Sequence, residues 1–389
     1  MSEATLQPVP ANTTGIDRVR ITQVEVIPVR IPFSAPFKIA SGAARLTNDT
    51  LYVRLHTDAG ITGLGETQAW RRQGSVETLA SLIAAIETIL APHLTGRSPF
   101  AMNAIMADLD EALYNSFYAK AAIGDALMDL QGKLLGVPVH VLLGGRCRDW
   151  LEACAVLSIK PDFAETMDQA RAFWDRGFTS FTFKVGLDTD ADIRNTRTLR
   201  EAFPDAILRI DANAAMGFDA AATLLERIAP YGIDAAEQLI ALWDVEGMAE
   251  LARRTTIPLM ADECLGSDHD LMRIIQLRAA RVLQTKVAKN GGIHRSRHLW
   301  ALAHTAGMRI YPGNHPSTSV ATASVVQLAA AWPGALLHGP FAVGITGALA
   351  ADPVEQPLTM QGNRVLVPKG PGLGVTLDDD RIAALRVDL

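Results

Sequence analysis

Along the chain, the spacing of apolar and polar positions changes period twice. From about Ile21 to Gly63 they alternate (ITQVEVIPVRIPF, then TLYVRLHT-DAG-ITGLGE), as in strands with one face buried. Asp58-Ala59-Gly60 between two such runs predicts a turn and hence an antiparallel sheet. Three stretches of helical period follow: VETLASLIAAIETILAPHL, AMNAIMADLDEALYN and KAAIGDALMDLQGKLLG. The last ends at Gly136, where glycine suits a helix stop. Residues 19–148 therefore read as an α+β domain, preceded by a loose polar tail over 1–18.

From Leu151 the texture becomes short apolar runs between amphipathic helices. Strands are expected at LEACAVLSI, SFTFKVG, AILRIDAN, DAAEQLI, PLMADE, RVLQTKVAK, MRIYPGN and ALLHGP. Eight strands with intervening helices predict a (β/α)8 barrel over 149–350; a doubly wound sheet rarely needs so many regular units. The segment 351–389 returns to strand and turn texture (NRVLVPKGPGLGVTL). It is expected to rejoin the first domain, so that the α+β cap is built from both ends of the chain.

Composition narrows the function classes. A chain of 389 residues, 49% of them hydrophobic, can bury a core of this size. A net charge of −6 without any Lys/Arg run argues against nucleic acid as a partner. The three cysteines form no C-x-x-C pair, which argues against a disulfide framework or a zinc site and fits a reducing cytoplasm. The N-terminus has no apolar segment like that of a signal peptide, and no apolar run is long enough to span a bilayer. The GLG of Gly63 and Gly65 follows a hairpin strand and opens no helix, so it is not a dinucleotide fingerprint.

Catalytic groups in a barrel sit at the C-terminal ends of strands. Five successive strands end in polar residues: Lys184, Asp211 with Asn213, Glu237, Asp262 with Glu263, and Lys286. Strand alternation puts Thr182 and Lys184 on one face, and Gln284 and Lys286 on another, while Lys289 has the opposite parity. The three acids Asp211, Glu237 and Asp262 are spaced roughly 25 residues apart, about one βα unit, and so fall at one height. Such convergent carboxylates repel unless a hard cation such as Mg²⁺, or Mn²⁺ in its place, holds them. A single acid of this kind is usually a helix cap or ion-pair partner. Three in register between two lysines instead suggest removal of the proton α to a carboxylate, with a cation stabilising the enediolate of a small carboxylate substrate. Lys184 and Lys286 lie four strands apart and would serve opposite faces as the acid/base pair.

FKVG with Lys184, DAN with Asp211, EQ with Glu237, ADE with Asp262 and TKVAKNGGI with Lys286 together resemble the enolase superfamily, in its muconate-lactonizing-enzyme subgroup. The resemblance covers nearly the whole chain. It implies a (β/α)8 barrel with a capping domain, Asp211, Glu237 and Asp262 as Mg²⁺ ligands, Lys184 and Lys286 as catalytic residues, and Asn213 and Glu263 in support. Lysine on the sixth strand argues against the mandelate-racemase branch, with its His/Asp base pair. The chain departs from the family's Lys-x-Lys on the second strand, where it has Thr182-Phe183-Lys184. The missing lysine would help hold its neighbour unprotonated. A small hydroxyl residue there also resembles the branch that dehydrates cis-3-hydroxyproline, and Thr182 is otherwise a packed strand residue.

Other candidates lie on loops. His315, in YPGNHPSTS, is either a cleft contact or a loop histidine bonded to backbone. Trp70 and Arg71, after GETQA, and Lys38 in the preceding loop are candidate substrate contacts, though such residues are usually just exposed. Cys264 reads as buried packing. His294, His298 and His304 read as a solvated helix face. The expected activity is racemisation or epimerisation of an amino- or imino-acid derivative. The alternatives are β-elimination of hydroxyproline type, muconate-type cycloisomerisation, or a silent binding scaffold; a homo-oligomer is expected.

Overall fold

A computed structural model of the chain describes residues 15–40, 42–70 and 77–388. Three strands, β1 (Ile21–Phe37), β2 (Arg45–Thr57) and β3 (Thr62–Gln68), form the antiparallel sheet in the order β1-β2-β3. Helices α1 (Leu79–Ala84), α2 (Met102–Ala112), α3 (Phe117–Leu135) and α4 (Val139–Leu142) complete the cap. Most of α3 is buried, because it is pressed between this sheet and the barrel. Gly63 and Gly65 make that possible: a Cβ on Gly65 would lie 2.0 Å from the Ala122 carbonyl oxygen, and one on Gly63 2.2 Å from that of Ala126. The GLG motif therefore serves close packing of a helix on a sheet.

Seven parallel strands curl in chain order: β5 (Ala155–Leu157), β6 (Ser180–Lys184), β7 (Ile207–Asp211), β8 (Ala235–Glu237), β9 (Leu259–Ala261), β10 (Val282–Lys286) and β11 (Arg309–Gly313). Between them run α5 (Phe163–Asp175), α6 (Thr189–Ala202), α7 (Phe218–Ile228), α8 (Val245–Arg254), α9 (Asp268–Leu277) and α10 (Gly292–Thr305), and α11 (Ser319–Ala331) follows β11. Turn residues start several of these helices. Asp162, Asp188 and Asp244 each accept a backbone N–H of the first turn, and Ser267 forms a reciprocal box with Asp270.

Two of the expected strands differ. ALLHGP is no regular strand; it closes the ring through single bridges, Leu336 to Ile310 and Gly339 to Ala153. At Gly339 a Cβ would sit 1.8 Å from the Pro312 oxygen, so the approach is too close for a pleated strand with side chains. LEACAVLSI also splits. Its first part, β4 (Trp150–Glu152), leaves the barrel and pairs antiparallel with β13 (Arg364–Leu366), which forms a hairpin with β12 (Met360–Gln361). Beyond that hairpin the tail bridges Gly372 to Pro138, forms α12 (Asp379–Leu385) and bridges Arg386 to Val29 of the cap sheet. Among the described residues no helix is long and apolar enough to cross a membrane.

Cap and barrel are tied at the starts of two barrel helices. Asp125 on α3 accepts the Ile293 N–H (2.8 Å) at the start of α10. Glu66 on β3 accepts from the Thr318 N–H (3.0 Å) and the Ala321 N–H (2.7 Å) at the start of α11. Gly291 and Gly292, with φ of 82° and 92°, let α10 begin against α3, where a Cβ on Gly292 would meet an Asp125 oxygen at 2.9 Å. These helices follow the strand that carries Lys286 and the loop that carries His315.

Candidate functional site

The parallel register sets the heights of the site residues. Lys184 pairs with Asp211 and Asp211 with Glu237, while Glu237 pairs with Met260, two residues before Asp262 on the same face. All four side chains are almost completely buried at the C-terminal mouth of the barrel, as is Lys286. The structure thus brings together the five residues expected to carry the chemistry. Lys184 is ion-paired with Asp211, and Lys286 with Asp262.

The turns after these strands are held in sparsely populated backbone. Asn213, Ala214 and Gln238 have φ of 46°, 61° and 32°, a strain that side-chain bonds hold in place. Asn213 donates its backbone N–H (2.7 Å) and side-chain amide (3.0 Å) to Asp211, and the same amide reaches Glu263 (3.1 Å). Gln238 accepts the Asp262 and Cys264 N–H groups at 3.2 and 3.1 Å. Gln284 donates to Glu237 at 2.9 Å.

Lys289 was not expected in this cluster. Its ammonium donates to Asp262 Oδ1 at 2.8 Å, so two lysines converge on that carboxylate. Alternation stops applying at Lys286, where β10 ends, and the turn over Val287–Gly291 brings Lys289 back towards Asp262.

Electrostatics follow from four buried acids in one place. Burial lifts the Glu237 carboxyl well above its usual range, helped by the charges of Asp211 and Asp262. Glu263 is pushed up to about 8 by burial and then by Asp262 and Asp211. Asp262 goes the other way: burial opposes its ionisation, but Lys286 and Lys289 together outweigh burial and hold it well below the usual carboxylate range. Burial also works against the charge on Lys184 and Lys286, yet Asp211 and Asp262 reverse that and raise both.

Whether these residues suit a divalent cation can be judged from their unmet bonds. Glu237 Oε2, Glu263 Oε2 and Asn213 Oδ1 are buried without any hydrogen-bond partner. Orphaned carboxyl and amide oxygens beside Asp211 and Asp262 are the kind of donor set a hard cation takes. Among the described residues no three acidic, histidine or cysteine side chains form a ready cage, and Asp211 and Asp262 are ion-paired with lysines instead. The chemistry of the donors fits; the cage is not preformed.

Thr182 also lines the cleft, at its floor, where it exchanges a 2.6 Å hydrogen bond with the Tyr311 hydroxyl and is the register partner of Arg209. Arg209 is 1% exposed, lies 4.8 Å from the Tyr311 ring centre and pairs with Asp234 (2.8 Å). The slot of the family's first lysine is thus a threonine tied into a packed layer that already holds a cation.

The cleft above, about 470 Å³ with its open mouth, has the apolar side chains of Phe37, Ile39, Trp70, Val156 and Val343 in its lining. Trp70 and His315 line it; Lys38 does not, because its neighbours Phe37 and Ile39 face the cleft instead. Arg71 lies outside the described residues. His315 is 3% exposed, bonds the Tyr118 hydroxyl through Nε2 (2.7 Å) and stacks on Trp70 with ring centres 4.5 Å apart. The remaining face of the Trp70 indole carries the Arg45 guanidinium at 4.5 Å. Tyr118 had no signal in the sequence, since it sits in an apolar cap helix 197 positions from its partner.

With this geometry in hand, comparison with known proteins gives two family matches. Residues 21–144 match the mandelate racemase/muconate lactonizing enzyme N-terminal domain, and residues 165–381 match the enolase C-terminal domain-like family. Chloromuconate cycloisomerase of Cupriavidus pinatubonensis is 32% identical over 342 residues, 86% of this chain and 90% of that protein. N-succinyl-L-Arg/Lys racemase of Bacillus cereus is 30% identical over 371 residues, 95% of this chain and 98% of that one. The solved structure of muconate lactonizing enzyme from Pseudomonas fluorescens, complexed with muconolactone, has a TM-score of 0.91 at 30% identity, covering 95% of this chain and 99% of that one.

Proposed function

The chain belongs to the mandelate racemase/muconate lactonizing enzyme family of the enolase superfamily, and from that premise we propose that it racemises or epimerises an amino- or imino-acid derivative. Members of the superfamily use a divalent metal, typically Mg²⁺, and the coarse activity, proton abstraction by an isomerase of this superfamily, comes with membership. The observation that carries the finer reading is the pair of buried lysines ending the second and sixth strands of the ring, both lining one cleft. A substrate α-carbon held between them meets a nitrogen from each side. The unprotonated lysine takes the proton on one face, and the protonated one returns a proton on the other. When bound, a divalent cation on Asp211, Glu237 and Asp262 would neutralise the carboxylates and stabilise the second negative charge that builds on the substrate. Asn213 holds Asp211 and Gln284 holds Glu237, while Glu263 accepts from the Asn213 amide and anchors it. The apolar side chains in the cleft lining support a substrate with an apolar part.

Cycloisomerisation of a muconate is the second reading, favoured by the names of two of the three relatives described above. β-Elimination gains nothing from Thr182, whose hydroxyl is engaged by Tyr311. A silent scaffold would have no need to keep both lysines buried in the cleft.

Loss of the α-proton signal in D₂O with Mg²⁺, over a panel of L- and D-amino acids, imino acids and their N-acyl forms, is the test. Exchange and inversion of one panel member are expected. Turnover of cis,cis-muconate with no exchange on the panel would favour the second reading, and failure of both would overturn proton abstraction by this pair.

A further inference from the structure

His315 stands in the cleft on the side of Lys286, and its surroundings settle what its two nitrogens can do. Nε2 meets the Tyr118 hydroxyl at 2.7 Å, and among the described residues that phenol has no other hydrogen-bond partner. The phenol hydrogen therefore goes to Nε2, which must accept it, and the ring hydrogen goes to Nδ1. Nδ1 has no hydrogen-bond partner among the described residues, and the ring lines the cleft. The ring cannot turn freely, because Trp70 stacks on it at 4.5 Å and Tyr118 lies 5.6 Å from it, while Arg45 holds the indole from behind. Tyr118 comes from α3 of the cap, Trp70 from the loop after β3, and His315 from the barrel.

We propose that His315 is a fixed hydrogen-bond donor, through Nδ1–H, to an oxygen of the bound substrate, and that Tyr118 is the positioning residue that sets this tautomer. His315 on this reading is a substrate contact and not a third acid or base. Burial, reinforced by the charge on Lys286, lowers its pKa well below the usual histidine value and keeps the ring neutral. The inference rests on the proton-abstraction reading for its kinetic arm only.

Two arms test it. In the Mg²⁺-loaded enzyme carrying ¹⁵N-histidine, the resonance lost in His315→Asn identifies His315. The expected result is a protonated Nδ1 and an unprotonated Nε2 in wild type, with this pattern lost in Tyr118→Phe; a protonated Nε2 in wild type would overturn the proposal whatever the substrate. For the kinetic arm, asparagine places an amide N–H close to where Nδ1 sits, and leucine places none. On the panel member that wild type exchanges fastest, His315→Leu is expected to raise KM by roughly tenfold or more, the worth of one hydrogen bond. Tyr118→Phe should raise KM by a smaller factor, and His315→Asn should stay within about threefold of wild type. All three should keep both limbs of the pH profile. Loss of turnover and of a pH limb in His315→Asn would overturn the donor role in favour of acid/base work. If wild type exchanges no panel member, the proposed function fails, while the tautomer still decides this inference.

Discussion

Thr182→Lys restores the family's Lys-x-Lys, and from the sequence alone it would pass for a change that tunes Lys184. The structure makes it a stability change. Thr182 is 1% exposed, its hydroxyl bonds Tyr311 at 2.6 Å, and its neighbour in register is the buried Arg209. Two cations about 6 Å apart at an effective dielectric of about 20 repel by roughly 3 kcal/mol. Leaving the Tyr311 hydroxyl without a partner adds about 1–3 kcal/mol, before any overpacking. Asp234 offers no relief, since Arg209 and Arg309 already share it. The expected loss is thus about 5 kcal/mol, which at roughly 2–4 °C per kcal/mol lowers Tm by about 10–20 °C. Thr182→Ser keeps the hydroxyl and should lose no more than about 1 kcal/mol. Urea denaturation and thermal melts of both variants measure this. A Thr182→Lys enzyme melting within about 2 °C of wild type would show that the Thr182–Tyr311–Arg209 layer does not exclude a second cation.

Burial lifts the Asp125 carboxyl from its ordinary 3.8 to about 7. A folded-state pKa above the unfolded one gives stability that is fully present below the unfolded value and lost as pH rises through 7, so relative to Asp125→Asn the wild type should lose on the order of 4 kcal/mol between pH 4 and pH 8. Parallel urea curves for the two proteins would refute it. Glu237→Gln should weaken Mg²⁺ binding by at least about tenfold in calorimetry while the fold is kept, because it removes one of three proposed anionic ligands; an unchanged Kd would take Glu237 out of the ligand set.

The repeating part of the molecule was legible. Lys184, Asp211, Glu237, Asp262 and Lys286 follow from strand parity and the βα repeat, because both are local periodicities that the barrel preserves. What was lost depended on where periodicity stops. Parity points Lys289 away from the cleft, but β10 ends at Lys286 and the following turn swings it back onto Asp262. The eighth strand was expected from ALLHGP, yet Gly339 packs against the Pro312 backbone and leaves only single bridges. Tyr118 and Arg209 carry no signal in the sequence, since the contacts that give them meaning join residues far apart in the chain. Lys38 is suggested by loop position alone, and its two neighbours line the cleft instead.

The central claim is that Lys184 and Lys286 serve opposite faces of one α-carbon, and stereospecific proton exchange by single-lysine variants tests it most directly. Lys184→Ala and Lys286→Ala, each loaded with Mg²⁺ in D₂O, are given the separate enantiomers of the substrate that wild type racemises. Each variant should exchange the α-proton of one enantiomer only, the two variants should choose opposite enantiomers, and neither should invert the substrate at more than about 10⁻³ of the wild-type rate. A variant that still racemises, or a pair in which one lysine governs exchange of both enantiomers and the other governs neither, would contradict the two-face arrangement.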